Sequence, residues 1–475
     1  MSRSSTVQHI AVVGAGAAGT LTATRLLRHA AAEHRTGLRI WLIDPAPAGR
    51  GLAFGTEQPH HLLNVPAGRM SAHRDDPGHL VRWLAEHGER GTCGELYGEH
   101  DFIPRGRYGR YLADCLDAAG RLDGAPDLVR LHDRVVGIAR QSDPAAAPLR
   151  LRLGSGQWLD FDAVVLALGN FAPGQGWAPP ELRAAAGYLP DPWAPGALER
   201  VPEDRDVLLV GTGLTMVDMA LSLRRPGRVV HALSRNGLVP QPHADAPLVV
   251  PPAPDIDASS GLDALRRAVL RQISSCRREY GDWRTGVDSL RPLTIALWQQ
   301  LSTADQARLL GRDLRLWETH RHRIPPVSAA ALRGAVDAGL VSLGRGTVAE
   351  ALSTADGIEV RLDSGARQRF GAVLNCTGSQ ADLARVDDPL IADLLAGGLG
   401  SLAPVGGGFD TTAAGRLRPA ADHVAAPLWT LGSLRRGNLL ETTAIPEIRC
   451  QADDLARLLL DHSRLEPQGA AAPRR

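Results

Sequence analysis

The chain has 475 residues, enough for two or three domains, and its 44% hydrophobic content suits a globular protein with a sizeable core. A net charge of +1 without a run of like charges, and an aromatic content of 4%, disfavour a nucleic-acid surface, which needs a basic patch and stacking rings. All 53 basic residues are arginine, so a lysine Schiff base and a Walker-type phosphate loop are both excluded.

His9 to Gly14 reads as a buried strand, Ala18 to Ala30 as a helix and Arg39 to Asp44 as a second strand. The turn between the first two is Val12-Val13-Gly14-Ala15-Gly16-Ala17-Ala18-Gly19. In such a unit Gly14 permits the tight turn, Gly16 lets the backbone approach a pyrophosphate, and Gly19 lets helix and strand pack closely. The helix start offers free amides and a positive dipole end. Asp44 ends the second strand, 30 residues after Gly14, and can accept from a ribose hydroxyl. Strand, loop, helix and acid in this order point to a dinucleotide.

His60 to Ala67 followed by Met70-Ser71-Ala72 is too irregular for a helix or strand yet apolar, the character of a loop that lies against a ligand. Adjacent side chains such as His60 and His61 rarely converge and no third ligand stands out, so no metal is expected. Leu128 to Gly156 alternates apolar and polar residues and predicts antiparallel strands. Asp162 to Gly169 reads as a buried strand, and a proline- and glycine-rich connection runs on through residue 205.

A second unit opens with strand Val207–Gly211, helix Leu214–Leu223 and strand Val229–Arg235. Its loop keeps Gly211 and Gly213, 197 residues after the first, but has Met216 where a third glycine would stand. Thr215 lies in the helix start. Arg235 ends the next strand, where an acid would select NAD; an arginine there either pairs with the 2′-phosphate of NADPH or is an ordinary surface residue. NADPH is the expected donor, with NADH the alternative.

Residues 239–261 read as a long loop and 262–338 as a helical insertion ending in His320 and His322, which are either acid–base residues or a solvated helix end. The Gly406–Gly408 run reads as a flexible loop. Strand patterns return at 340–378 and 427–433, and a final helix covers Pro446 to Leu460, with Thr442 or Thr443 as its cap. Cys93, Cys115, Cys276, Cys376 and Cys450 form no close pair, against a redox disulfide or zinc site and in keeping with a reducing cytoplasm. No signal peptide or membrane span is read, so a cytoplasmic location is expected.

The fold class expected is α/β, with two dinucleotide-binding Rossmann-like domains, the second inserted in the first, and a helical insertion. The boundaries expected are 1–200 and 366–465 for the first domain and 201–365 for the second, the latter including the helical insertion at about 255–338; a disordered tail covers 466–475.

Five stretches carry a family resemblance: GTEQPHHLLNVPAGRMSAHRDDPGHLVRWL (55–84), VLLVGTGLTMVDMAL (207–221), WETHRHRIPP (317–326), VLNCTGSQAD (373–382) and GNLLETTAIPEIRCQA (437–452). With them the chain resembles the FAD/NAD(P)-binding flavoprotein family, which is similar to class B flavin monooxygenases such as the lysine and ornithine N-hydroxylases. The resemblance implies FAD at the first loop and NAD(P)H at the second. Gly14, Gly16, Gly19, Asp44, Val136, Gly432, Thr442 and Thr443 are assigned to FAD, and Gly211, Gly213, Thr215 and Arg235 to NADPH. By position Asn64, Met70 and Ser71 lie near the flavin ring and Thr442 at its pyrimidine side. LALG (166–169) and NCTG (375–378) resemble the strand-ending threonine–glycine motif of two-dinucleotide flavoproteins, the first with Leu168 in place of threonine.

The function expected is an NADPH-reduced flavin monooxygenase, in which hydride passes to flavin N5 and a C4a-hydroperoxide oxygenates a small-molecule nucleophile, N-hydroxylation being favoured. Dioxygen and that substrate are the partners expected. An oxidase or dehydrogenase without oxygen insertion, and a non-catalytic flavin-binding redox sensor or scaffold, are the alternatives.

Overall fold

In the computed structural model, residues 7–91, 94–141 and 146–462 are described; Cys93 and the tail at 466–475 lie outside them. The strands run β1 (Gln8–Val13), β2 (Leu38–Ile43), β3 (Asp127–Leu131), β4 (Val135–Arg140), β5 (Leu149–Leu153), β6 (Trp158–Phe161), β7 (Ala163–Leu166) and β8 (Tyr188–Leu189). They continue as β9 (Val207–Val210), β10 (Val230–Ser234), β11 (Val341–Arg345), β12 (Val348–Thr354), β13 (Gly357–Leu362), β14 (Arg367–Phe370), β15 (Ala372–Asn375) and β16 (Leu428–Thr430). The helices named below are α1 (Ala17–Ala32), α2 (Leu214–Leu223) and α3 (Ile445–His462).

Two parallel sheets carry the architecture, in the orders β16-β7-β1-β2-β3 and β11-β10-β9-β15-β8. Their central strands are short apolar runs because both faces are covered. In β1, Ile10 and Val12 enter the core beneath α1 and α3, while Ala11 and Val13 enter the core beneath β4–β6. In β9, Val207 and Leu209 face one core and Leu208 and Val210 the other. A strand buried on both faces cannot alternate apolar with polar. The antiparallel sheets β4-β5-β6 and β12-β13-β14 each lie beside one parallel sheet.

Two expectations need correction. The stretch 128–131 is not antiparallel: β3 pairs parallel with β2, and only β4 to β6 form the antiparallel meander. The boundaries near 200 and 366 also cut the second sheet, because β8 and β15 pair with each other and β15 pairs with β9. The buried run Ala372–Asn375 has the composition of a strand in either sheet, so pairing alone decides where it belongs.

Helices α1 and α3 pack through small residues, Ala23 and Ala30 on one and Ala452 and Ala456 on the other, all fully buried. His29 Nε2 meets Asp453 Oδ1 at 2.8 Å, and Arg35 donates to the Leu460 carbonyl at 2.7 Å. Helix α3 is thereby fixed to α1. The helical insertion covers Leu262–Tyr280 through Pro326–Asp337 and includes a π turn at Leu309–Asp313. Its core, Leu262, Leu265, Leu297, Trp298 and Leu301, packs against Leu440, and Trp298 Nε1 donates to the Gly437 carbonyl at 3.0 Å. The insertion therefore leans on the C-terminal part of the first unit. Among the described residues no helix is long and apolar enough to cross a membrane.

The two sheets are also joined at α2. His60 and His61 both reach the Ser222 hydroxyl, at 2.8 and 2.9 Å, and Arg105 donates to the buried Asp218 at 2.6 Å. Burial pushes the Asp218 carboxyl up to about 6 despite the guanidinium beside it. The folded protein then holds this proton to higher pH than the unfolded chain, so the group makes stability fall as pH rises from about 4 to about 6. Asp218→Asn is expected to remove that slope, read from denaturant midpoints at about pH 4.5 and about pH 7; an unchanged slope would show that another group sets it.

Candidate functional site

The carboxyl ends of the first parallel sheet converge on the first glycine loop. Gly14 takes φ +99°, and a Cβ there would lie 2.4 Å from the Ala167 carbonyl oxygen. A Cβ on Gly19 would lie 1.8 Å from the Gly14 oxygen. Gly16 differs: its φ is −65°, and a Cβ would meet only Gly51 Cα, at 3.6 Å. The fold itself demands glycine at 14 and 19, whereas at 16 the missing side chain leaves the backbone bare, the condition for close approach of a pyrophosphate. No side chain caps α1, so its first amides are left for a ligand. Asp44 anchors this loop by accepting from the Ala15 and Ala46 amides, both at 2.7 Å, and its remaining lone pairs are what a ribose hydroxyl would use.

The second loop repeats this construction. Gly211 takes φ +107°, and its Cβ would lie 2.3 Å from the Cys376 oxygen; Gly213 has φ −87° and only the Arg315 guanidinium nearby, at 3.5 Å. LALG thus backs the first loop and NCTG the second. A cavity of about 550 Å³ opens here, lined by Gly211, Gly213, Thr215 and Arg235 together with Trp177, Thr347 and Thr377. Arg235 is exposed and makes no ion pair among the described residues. Met216 is fully buried in the core behind the loop.

The C-terminal segment closes on the first loop. Thr430 donates to the Leu166 carbonyl at 2.8 Å and Ser433 to that of Gly169 at 2.5 Å. Gly432, φ +70°, faces Ala18 and Ile448. Thr442 is fully buried, donates to the Gly432 carbonyl at 3.2 Å and accepts from Gln451 Nε2 at 2.7 Å. It ties the strand end to α3 rather than capping the helix, whose first residue is Ile445. The Gly406–Gly408 run is no loose loop either: a Cβ on Gly408 would lie 2.0 Å from the Leu434 oxygen, and the Gly437 amide donates to Gly407 at 2.8 Å.

Beside this segment lies a second cavity, of about 310 Å³. Asn64, Thr442 and Thr443 line it; Met70, Ser71 and Val136 do not. Met70 packs in the core beneath α1. The Ser71 hydroxyl is used internally, donating to the Asp76 carbonyl at 2.6 Å. Val136 sits at a bulge of β4, its carbonyl 3.4 Å from Arg152 Nη2. His322 lines the cavity, held neutral because burial, with Arg321 beside it, lowers its pKa to about 4. His320 instead lies over Trp283 in an apolar hollow of the insertion.

The residues that dominate this cavity are charged, and sequence reasoning passed over them. Arg291 pairs with Glu447 at 2.7 Å, Arg321 with Glu441 at 2.8 Å, Arg323 with Asp288 at 2.5 Å and Arg436 with Glu318 at 2.6 Å. Arg69 also lines it. The signal was present: most of these residues fall inside the stretches that carry the family resemblance, but a lone charge in sequence does not say which partner it meets. A separate cluster of His73, His79 and Cys115 brings ligand atoms within 4.8 Å of one another. The nearby Arg25 and Arg28, and a thiol that burial pushes up to about 12, oppose a cation there.

The glycine geometry separates folding from binding. Gly19→Ala is expected to destabilise the protein by about 3 kcal/mol or more. Gly16→Ala is expected to leave the denaturant midpoint within about 1 kcal/mol of the parent while weakening FAD binding about tenfold, read by flavin fluorescence titration. Equal losses of stability in the two variants would contradict this.

Residues 11–171 match the FAD-NAD(P)-binding family model. No curated protein sequence matches the chain. Among solved structures, the chain is similar to the reduced form of an ornithine hydroxylase from Pseudomonas aeruginosa, with TM-score 0.63 and 16% identity over 96% of this chain and 100% of that one. An L-lysine 6-monooxygenase from Pseudomonas syringae gives TM-score 0.61 and 17% identity over 96% and 99%. An ornithine N-hydroxylase from Kutzneria sp. 744, solved with reduced FAD, NADP+ and L-orn, gives 0.57 and 14% over 96% and 100%. Residues 11–171 are thus similar to the FAD-NAD(P)-binding family, within a chain that shares the fold of these solved structures across nearly its whole length.

Proposed function

We propose that the protein is an FAD-dependent monooxygenase reduced by NADPH, with N-hydroxylation of a small-molecule amine as its favoured reaction. The observation that carries this reading is the shared wall between the two cavities. Arg315, Glu318 and Arg436 line both the cavity at the second glycine loop and the one at Asn64 and Thr442. NADPH with its pyrophosphate at Gly211 and Gly213 would thereby lie in a cavity that shares a wall with the one at Asn64 and Thr442. The structural neighbours that hydroxylate ornithine and lysine support the same reaction class.

FAD, when bound, accepts hydride and activates dioxygen. The balance is one oxygen atom into an N–O bond and the other into water, with NADPH and one proton consumed. The chain supplies the setting. Amides at the start of α1 would hold the pyrophosphate of FAD, Asp44 its ribose, and Arg235 the 2′-phosphate of NADPH. Trp317 and other residues of the insertion form one wall of the cavity. An amine attacks only when neutral; His322 on the cavity wall, its pKa lowered to about 4 by burial, stays uncharged near pH 7 and is too weak a base to take that proton.

Purified protein reconstituted with FAD is expected to bleach with NADPH and to place label from 18O2 in the product. Hydrogen peroxide without labelled product would replace the oxygenase with an oxidase, and no bleaching by either nicotinamide would leave a non-catalytic flavoprotein. Arg235→Ala is expected to raise KM for NADPH about tenfold while leaving KM for NADH unchanged. An equal change for both donors would remove the 2′-phosphate contact.

A further inference from the structure

We propose that the substrate is an amphipathic amine, whose apolar tail fills a separate hollow inside the helical insertion while its amine end lies in the cavity at Asn64 and Thr442. The proposal rests on the oxygenase reading above and names its substrate class.

The hollow has a volume of about 560 Å³, within the range of small-molecule sites. The first helix of the insertion, Leu262–Tyr280, sets Leu262, Leu265, Val269 and Ile273 along one side, at the spacing of a single helix face. Leu297 and Trp298 stand among the residues that complete it. Its polar groups turn to one another or to the backbone. Arg266 pairs with Asp313 at 3.3 Å, the Thr294 hydroxyl donates to the Leu290 carbonyl at 3.3 Å, and His320 Nδ1 meets the Leu316 carbonyl at 2.9 Å. Arg277 is exposed. The surface left for a ligand is therefore mostly hydrocarbon and indole, which takes an alkyl or aryl group and repays little to a charged one.

Two residues tie this hollow to the reaction. Trp317 and Leu440 line both it and the cavity at Asn64 and Thr442, and each is only half-buried, so together they form a partition between the two spaces. Trp317 is held by its Nε1, which donates to Glu441 at 3.2 Å. Leu440 is held by its backbone. It takes φ +59° and ψ −63°, and the Glu441 amide closes a three-residue turn around it onto the Leu439 carbonyl at 2.7 Å. A bulky residue rarely adopts that conformation, and strain of this kind concentrates where a ligand must be gripped. Here it sets the Leu440 side chain at the boundary across which a tail would pass. On the far side Leu270 and Leu316 line the hollow and are 62% and 53% exposed, so a longer chain has an outlet to solvent.

The test is a calorimetric titration of the FAD-reconstituted protein with n-butylamine, n-hexylamine and n-octylamine, with the flavin absorption band followed in parallel. Each methylene buried is worth up to about fourfold in affinity, so octylamine is expected to bind at least about tenfold more tightly than butylamine and to shift the flavin band. Val269→Asp, which puts a carboxylate in the hollow, and Ile273→Trp, which fills it, are each expected to weaken octylamine about tenfold or more and to leave butylamine unchanged. Affinity independent of chain length, or an octylamine affinity that both variants leave intact, would overturn the proposal. So would octylamine that binds without moving the flavin band while butylamine moves it, since the hollow would then hold a ligand apart from the substrate. A dimer in sizing that Val269→Asp makes monomeric, with octylamine no tighter than butylamine, would give the hollow to a second copy of the chain instead. The two readings fail separately. Amines bound in the expected order but never oxygenated would sink the oxygenase reading alone, and butylamine and octylamine oxygenated with equal KM and equal affinity would sink this one alone.

Discussion

The arginine–carboxylate pairs between the helical insertion and the C-terminal segment are the constraint on which the site depends. Arg291 and Arg321 reach from the insertion to Glu447 and Glu441, and Glu318 receives Arg436 in the opposite sense. Such pairs gain little net stability, because desolvating both charges costs about as much as their attraction returns. Breaking one is another matter: a buried charge left alone costs about 3–5 kcal/mol. Their effect is therefore on position. They fix the insertion against the segment that begins α3, and so define two walls of the cavity.

The glycine loops show how far local sequence reaches. At Gly14 and Gly211 the same geometry recurs, a positive φ and a carbonyl from a neighbouring strand end where a Cβ would stand. Strand, turn and helix follow one another within about 20 residues, so the motif and its reason are both visible in the chain. Asp44 was legible too, although its first duty is to brace the loop through the Ala15 amide. What the motif does not show is which distant strand backs it. LALG at the first loop and NCTG at the second are buried apolar strand ends of the same kind, and only the pairings of β7 with β1 and β15 with β9 distinguish them.

The ring-side candidates fared unevenly for a physical reason. Asn64, Met70 and Ser71 lie within one irregular loop, where no period of two or 3.6 relates neighbours to a common face. Asn64 opens to the cavity while Met70 joins the core and Ser71 spends its hydroxyl on the backbone. Thr442 lines the cavity yet is bonded on both sides of its oxygen. Among the described residues the Asn64 and Arg69 side chains, also on this wall, make no hydrogen bond.

By itself the sequence determined the α/β class, the two dinucleotide loops, the helical insertion and the helix near the C-terminus, because each rests on periodicity, glycine chemistry or breakers acting over a few residues. Only the tertiary structure decided the assignment of β8 and β15 to the second sheet, the docking of the insertion on the first unit, and the charge balance of the cavity. Those depend on contacts between Arg291 and Glu447, or Arg321 and Glu441, separated by more than a hundred residues. A charge carries no mark of its partner until the chain folds.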